Sequence, residues 1–211
     1  MSKRVLFVAG SSGAVGRTVV ALAGEADLTL RAHYRRPSEG APSDALVFPL
    51  DDRARLVEAL RGATTIAQLI GTIRKRFKDG DTYESSDIAT TQMLVDAAKE
   101  AGTIDHLVLL SSVGAGSPIG AYLKAKAKAE AIVTSSGIPY TIFRPSAFDG
   151  DRHHAPPGLG LIARIPGLGK YGPIKVDDLA RAILHTAAVR APLDVALEGA
   201  PLFAEAAAAR V

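Results

Sequence analysis

Val5-Leu6-Phe7-Val8-Ala9 runs directly into Gly10-Ser11-Ser12-Gly13-Ala14-Val15-Gly16. An unbroken apolar run of that length reads as a buried β-strand, and the residues after the glycines carry helical apolar spacing. Glycine at the turn permits tight backbone geometry and lets main-chain N–H groups face a pyrophosphate. The helix N-terminus adds its positive dipole, and a third glycine at Gly16 lets the helix lie close to the sheet. The spacing is G-x-x-G-x-x-G instead of the commoner G-x-G-x-x-G. A glycine-capped turn without a ligand is the plain alternative, but the strand–glycines–helix order is what a dinucleotide site requires. Gly16-Arg17-Thr18 also resembles the end of a phosphate loop. There the first position would be Ser11 and Arg17 would replace the essential lysine, so that reading is rejected.

Outward from this turn, short aliphatic runs alternate with longer helical stretches. Residues 5–9, 28–34, 45–48, 64–70, 106–110 and 140–143 read as buried strands; residues 14–23, 52–61, 84–101, 121–135 and 176–189 read as helices. This alternation predicts an α/β fold with a doubly wound, mostly parallel sheet and helices on both faces. Gly24, Gly62, Gly102 and Gly137 stand just past helical segments, the expected capping position. Residues 72–82 read as a polar, basic surface loop. Residues 149–173, with several Gly and Pro, read as an irregular segment that shapes a substrate pocket. No internal repeat or linker divides the chain, so residues 1–211 are expected to form one domain. The alanine-rich residues 204–211 read as a loose terminal helix.

Composition removes whole classes of chemistry. The chain has 211 residues and no cysteine, which excludes disulfide frameworks, thiolate metal sites and a cysteine nucleophile. No apolar run approaches the roughly 18 residues of a membrane span, and the first apolar run is too short for a signal peptide, so a cytoplasmic protein without a membrane partner is expected. A net charge of +3 gives no support to nucleic-acid binding.

Two constellations carry chemistry. The run Arg31-Ala32-His33-Tyr34-Arg35-Arg36 ends the second strand with no acid before Glu39. An acid there would hold the ribose hydroxyls of NAD, whereas arginines pair with the 2′-phosphate of NADP; Arg35 and Arg36 therefore favour NADP(H) over NAD(H). Further on, Tyr122-Leu123-Lys124-Ala125-Lys126 places tyrosine and lysine one helical turn apart. At about 100° per residue, Lys124 and Lys128 share one side while Lys126 lies nearly opposite, beside Tyr122. A free phenol, with pKa near 10, is a weak acid–base group at neutral pH, and a neighbouring ammonium favours its phenolate. Ser112, at the end of the fifth strand, adds a hydroxyl able to donate to a carbonyl oxygen.

Together Gly10–Gly16, Ser111-Ser112 and Tyr122/Lys126 resemble a short-chain dehydrogenase/reductase of the atypical or extended branch. The chain is similar to NmrA-like and Tat-interacting-protein-like NAD(P)-binding oxidoreductases. Leu69-Ile70-Gly71-Thr72, Ile142-Phe143-Arg144-Pro145 and Val176-Asp177-Asp178-Leu179-Ala180 match as well. The resemblance covers nearly the whole chain and implies a Rossmann-type fold. It implies Ser112 for substrate polarisation, Tyr122 as acid–base, and Lys126 as the ribose-binding lysine that tunes Tyr122. It also implies a cofactor held by Gly10, Ser12, Gly13, Ala14, Val15, Gly16, Arg35, Arg36, Leu50, Gly71 and Pro145. Pro49 departs from the pattern, because many relatives carry an aspartate there near adenine; Leu50 or Asp51 would supply those contacts instead.

The function expected is NADPH-dependent reduction of a small carbonyl substrate. The alternatives are an NADP(H)-sensing regulator acting through a protein partner, and a flavin- or biliverdin-type reductase. NmrA-like regulators generally lack the Tyr–Lys pair, and this chain has it. Asp149, Asp151, His153 and His154 form a weak metal pattern, since adjacent histidines rarely converge on one ion, and no metal is expected. Arg74-Lys75-Arg76-Phe77-Lys78 reads as a solvated loop, and the G-x-S-x-G elbow of serine hydrolases does not occur.

Overall fold

The computed structural model describes residues 3–72, 80, 82–150 and 169–210. Seven strands form one sheet: β1 (Arg4–Ala9), β2 (Leu28–Tyr34), β3 (Leu46–Val47), β4 (Thr65–Gln68), β5 (His106–Leu110), β6 (Tyr140–Arg144) and a later strand, β9 (Val195–Glu198). Their order is β3-β2-β1-β4-β5-β6-β9 and every pairing is parallel. The direction of winding reverses between β1 and β4, and at such a switch point the strand ends leave a crevice for a ligand. A separate parallel pair joins β7 (Phe148–Asp149) to β8 (Ile174–Lys175).

Among the described residues, six α-helices cover the sheet. On one face α1 (Ala14–Leu22), α5 (Val176–Val189) and α6 (Ala200–Ala208) bury Val15, Val19, Leu179, Ile183 and Leu202 against Leu6, Val8 and Phe143. On the other, α2 (Arg53–Leu60), α3 (Thr90–Ala101) and α4 (Gly120–Thr134) bury Leu56, Leu60, Leu94 and Val133 against Phe7, Ile66 and Ile142. Adjacent β1 residues thus point into opposite cores, as the two-residue period of a strand requires. The doubly wound Rossmann-type architecture is confirmed.

Three of the four expected helix-ending glycines are left-handed: Gly62, Gly102 and Gly137 have φ of 74°, 70° and 80°. Gly24 is the exception. It sits inside a 3₁₀ turn over Ala23–Glu25, so the chain leaves α1 without a left-handed cap. The C-terminal helix also differs from the loose tail expected. It begins at Ala200 with proline in its first turn, and Leu202 and Ala206 are buried against the core. Most of the basic loop at residues 72–82 and of the segment at residues 149–173, including Asp151, His153 and His154, lies outside the described residues. Among the described residues no helix is long and apolar enough to cross a membrane, and no group of His, Asp and Glu could hold a metal ion.

Candidate cofactor and catalytic site

The turn after β1 is built from contacts that leave no room for side chains. Gly10 has φ of 101°, and a Cβ there would lie 3.0 Å from the Ile70 backbone nitrogen. Gly13 N–H donates to the Gly10 carbonyl at 2.9 Å, closing the turn. A Cβ on Gly16 would stand 2.1 Å from the Gly10 oxygen and 2.9 Å from Ser11 Cα, so only glycine lets α1 approach the turn this closely. Ser11 is fully buried and donates to the Val8 carbonyl at 3.1 Å. Gly13 precedes α1 and no side chain caps it, so the first N–H groups of the helix, at Ala14, Val15 and Gly16, have no side-chain acceptor and suit an anion.

This turn forms the floor of a cleft of about 320 Å³. Six of the expected cofactor residues line it together: Gly10, Ser12, Gly13, Arg35, Leu50 and Gly71. Ala14, Val15 and Gly16 form the first turn of α1 behind that lining, and Arg36 is exposed beyond it. Pro145 is buried and its carbonyl accepts the Val113 N–H at 2.9 Å. Pro49 and Asp51 flank Leu50 in the wall, as the departure at Pro49 implied. The lining thus combines glycine backbone able to approach phosphates, the Arg35 guanidinium and the bare backbone of Gly71.

Several lining residues carried no sequence signal. His33 is buried under the cleft, stacks with Phe7 at 5.7 Å and meets Phe48 edge-on at 4.6 Å. Its Nε2 lies 2.7 Å from the Phe48 carbonyl, which fixes Nε2 as the protonated nitrogen of the neutral ring. Burial holds His33 below the usual imidazole range, against the opposing pull of that backbone bond. Burial likewise raises the Tyr34 phenol, and the Arg17 guanidinium partly offsets it. Arg17 itself donates through Nε to the Ser12 carbonyl at 2.8 Å. On the opposite wall, Ser85, Ser86 and Thr90 come from a turn of π-helix over Glu84–Ala89 and the start of α3.

Ser112 is buried just past the C-terminal end of β5, and Tyr122 and Lys126 lie in the first turns of α4, outside the lining of this cleft; Lys126 reaches it through Gly71. The helical geometry expected of the three lysines holds: Lys124 and Lys128 are exposed, and Lys126 is only 6% exposed. Its ammonium lies 6.0 Å from the Tyr122 ring centre, and the Tyr83 ring packs against Tyr122 at 5.6 Å. Lys126 Nζ donates to the Leu110 carbonyl at 3.1 Å. The residue missed in the sequence is Asp87, on the π-turn. Its Oδ1 sits 2.8 Å from Lys126 Nζ, yet off the axis of a hydrogen bond, with the carboxylate 1% exposed. Nothing in the polar run Glu84-Ser85-Ser86-Asp87 marks one carboxylate as buried.

Behind the serines a second polar network braces the strand ends. Ser111 donates to Glu130 at 2.5 Å, and Arg144 donates to the two oxygens of Glu130 at 2.9 and 2.6 Å. Those bonds to Glu130 are the largest cause holding the Arg144 guanidinium above its ordinary value; burial opposes them and the Glu198 carboxylate adds to them.

With this geometry in place, known proteins supply the family. The NAD(P)H-binding family model matches residues 10–189. The chain belongs to that family. It is 34% identical over 154 residues to the mitochondrial protein FMP52 of Debaryomyces hansenii, covering 69% of this chain and 67% of that one. It is 29% identical over 179 residues to a (4-alkanoyl-5-oxo-2,5-dihydrofuran-3-yl)methyl phosphate reductase of Streptomyces griseus, covering 82% of this chain but only 58% of the reductase. Among solved structures, a putative NAD-dependent epimerase/dehydratase from Bacillus halodurans superposes with a TM-score of 0.68 at 21% identity, covering 88% of each chain. The Rossmann-type fold and membership in the NAD(P)H-binding family are thereby established, in keeping with the short-chain dehydrogenase/reductase resemblance.

Proposed function

We propose that this protein is an NADP(H)-preferring reductase of small carbonyl compounds, working through Ser112, Tyr122 and Lys126. The observation that carries the reading is the buried Lys126 ammonium lying 6.0 Å from the Tyr122 ring at the end of β5, next to a cleft floored by the glycine turn. Gly10, Ser12 and Gly13 would hold the pyrophosphate together with the open start of α1. Arg35 would meet a 2′-phosphate, with Arg36 in support, and Leu50 would lie against adenine. When bound, the nicotinamide would supply the hydride. Tyr122 would then give its phenolic proton to the substrate oxygen, while the Ser112 hydroxyl donates to that oxygen and fixes its position. Lys126 would hold the ribose and, with Asp87 only 2.8 Å from its ammonium, favour the phenolate left on Tyr122 no more than weakly.

The similarity to a reductase and to an epimerase/dehydratase supports oxidoreductase chemistry without naming a substrate. In this reading residues 1–211 act as one NAD(P)-binding unit, with residues 149–173 assigned to the substrate pocket. The experiment is NADPH turnover over a panel of aldehydes and ketones, comparing the unaltered protein with Tyr122→Phe. Loss of the phenol should lower kcat about 10²- to 10⁴-fold with NADPH affinity nearly unchanged. An active panel member reduced equally well by both proteins would overturn the role of Tyr122. NADPH binding with no turnover on any compound would favour the sensing regulator instead.

A further inference from the structure

Asp87 and Lys126 form a buried ion pair that no motif announces. The π-turn inserts an extra residue at the entry to α3, a local distortion that recurs at functional sites. Here it turns Asp87 inward. Thr91 donates to the Asp87 carbonyl at 2.6 Å, and Gln68, at the end of β4, donates to Thr91 at 3.2 Å. Thr72 N–H approaches the other carboxylate oxygen at 3.4 Å. The pair presses against Gly71: a Cβ there would lie 3.0 Å from Lys126 Nζ and 3.3 Å from Asp87 Oδ1. Gly71 also lines the cleft. Both charges thus reach the cleft wall at a residue with no side chain to screen them. Two opposite charges 2.8 Å apart present almost no net charge to anything beyond them. The Tyr122 ring lies 6.0 Å from the Lys126 ammonium, and Tyr83 packs against Tyr122.

We infer that Asp87, by cancelling the Lys126 ammonium at the Gly71 wall, sets how the site discriminates oxidised from reduced cofactor. The inference rests on the proposed reading, which puts the nicotinamide end beside Lys126. The oxidised ring carries one positive charge more than the reduced ring. A bare ammonium would repel the oxidised form alone, and the neutral pair does not. Asp87 is in this sense a positioning and specificity-determining residue.

The test needs no substrate. Kd values for NADP+ and NADPH are measured by calorimetry for the unaltered protein, Asp87→Asn, Lys126→Met and the double variant. Asp87→Asn should raise the ratio Kd(NADP+)/Kd(NADPH) about fivefold, the effect of a unit charge acting over about 8 Å at an effective dielectric of about 40. Lys126→Met should lower that ratio, and the double variant should return it to the original value. A shift with Lys126→Met but none with Asp87→Asn overturns the inference while the proposed reading stands. No shift in any variant shows that the nicotinamide end is not beside Lys126, and the proposed reading falls with it. Should Asp87→Asn fail to fold because its ammonium is left buried and unpaired, the double variant decides. A ratio like that of the unaltered protein supports charge cancellation; one equal to that of Lys126→Met refutes it.

Discussion

Replacing Gly16 by alanine tests the central claim of the site, that the helix and the turn touch through bare backbone. The new methyl would stand 2.1 Å from the Gly10 oxygen, 2.8 Å from the Gly10 carbonyl carbon and 2.9 Å from Ser11 Cα. All three are main-chain atoms, so no rotamer change relieves the overlap. Ordinary carbon–oxygen contact needs roughly another 1 Å, and α1 must slide by about that amount or the turn must open. Overpacking of this kind costs about 1–3 kcal/mol. In a chain of this size that corresponds to a fall in Tm of about 3–10 °C, read by circular dichroism. The same displacement moves the N–H groups at Ala14, Val15 and Gly16, so NADPH binding should weaken at least tenfold by calorimetry. Gly24→Ala is the matched control. It meets nothing within 4 Å, and its φ lies outside the left-handed range. Reduced freedom in the unfolded chain should leave it neutral or stabilised by up to about 1 kcal/mol. An unchanged Tm and an unchanged NADPH Kd for Gly16→Ala would refute the close-approach reasoning.

Three further outcomes follow from particular groups. Arg35→Ala should weaken NADPH about 10- to 100-fold, the worth of charge-assisted bonds to a phosphate, and NADH less than threefold; equal losses for both cofactors would remove its phosphate role. His106 is fully buried, and burial first, with the Arg4 and Arg190 charges adding, lowers it to about 4 from an unfolded value near 6.5. The unfolded chain therefore binds the extra proton first. The contribution of His106 is fully present above pH 6.5 and is lost as pH falls toward 4, by up to about 3 kcal/mol. Urea unfolding at pH 7 and 4.5 should show this slope, and His106→Gln should flatten it; a variant with the same slope would sink the assignment. Asp52 precedes α2 and accepts the Arg55 N–H at 3.2 Å. Asp52→Ala should cost about 1 kcal/mol in the same assay, and no loss would show that water replaces the cap.

The alternation of strands and helices was legible most plainly where a strand is buried on both faces, as in β5, whose five residues are all buried. β2, β5 and α5 begin and end where the residue pattern places them. Lys126 could be told from Lys124 and Lys128 because helical rotation is fixed at 100° per residue. The edge strand β9 escaped for the opposite reason. Val195–Glu198 is buried fully at only one of its four residues, so it carries no apolar run. The C-terminal helix was blurred by alanine, which favours helix whether or not a helix docks. Asp87 escaped because pairing across the fold leaves no local mark. Its partner lies on another helix, and a carboxylate among serines reads as solvated until the π-turn turns it inward.

The position of Gly10 against Ile70 has a consequence for the order of assembly. Every strand pairing in the main sheet is parallel, so each needs a crossover connection and not a tight turn, and β1 lies between β2 and β4. The phosphate turn is written by residue 16 but has no second wall until β4 has docked beside β1. A fragment ending before β4 would carry the whole glycine motif and bind no cofactor. In the intact chain, cofactor would stabilise only molecules in which β4 has already paired with β1. Saturating NADPH should therefore slow global hydrogen exchange in β1 and β4 together, as one cooperative unit.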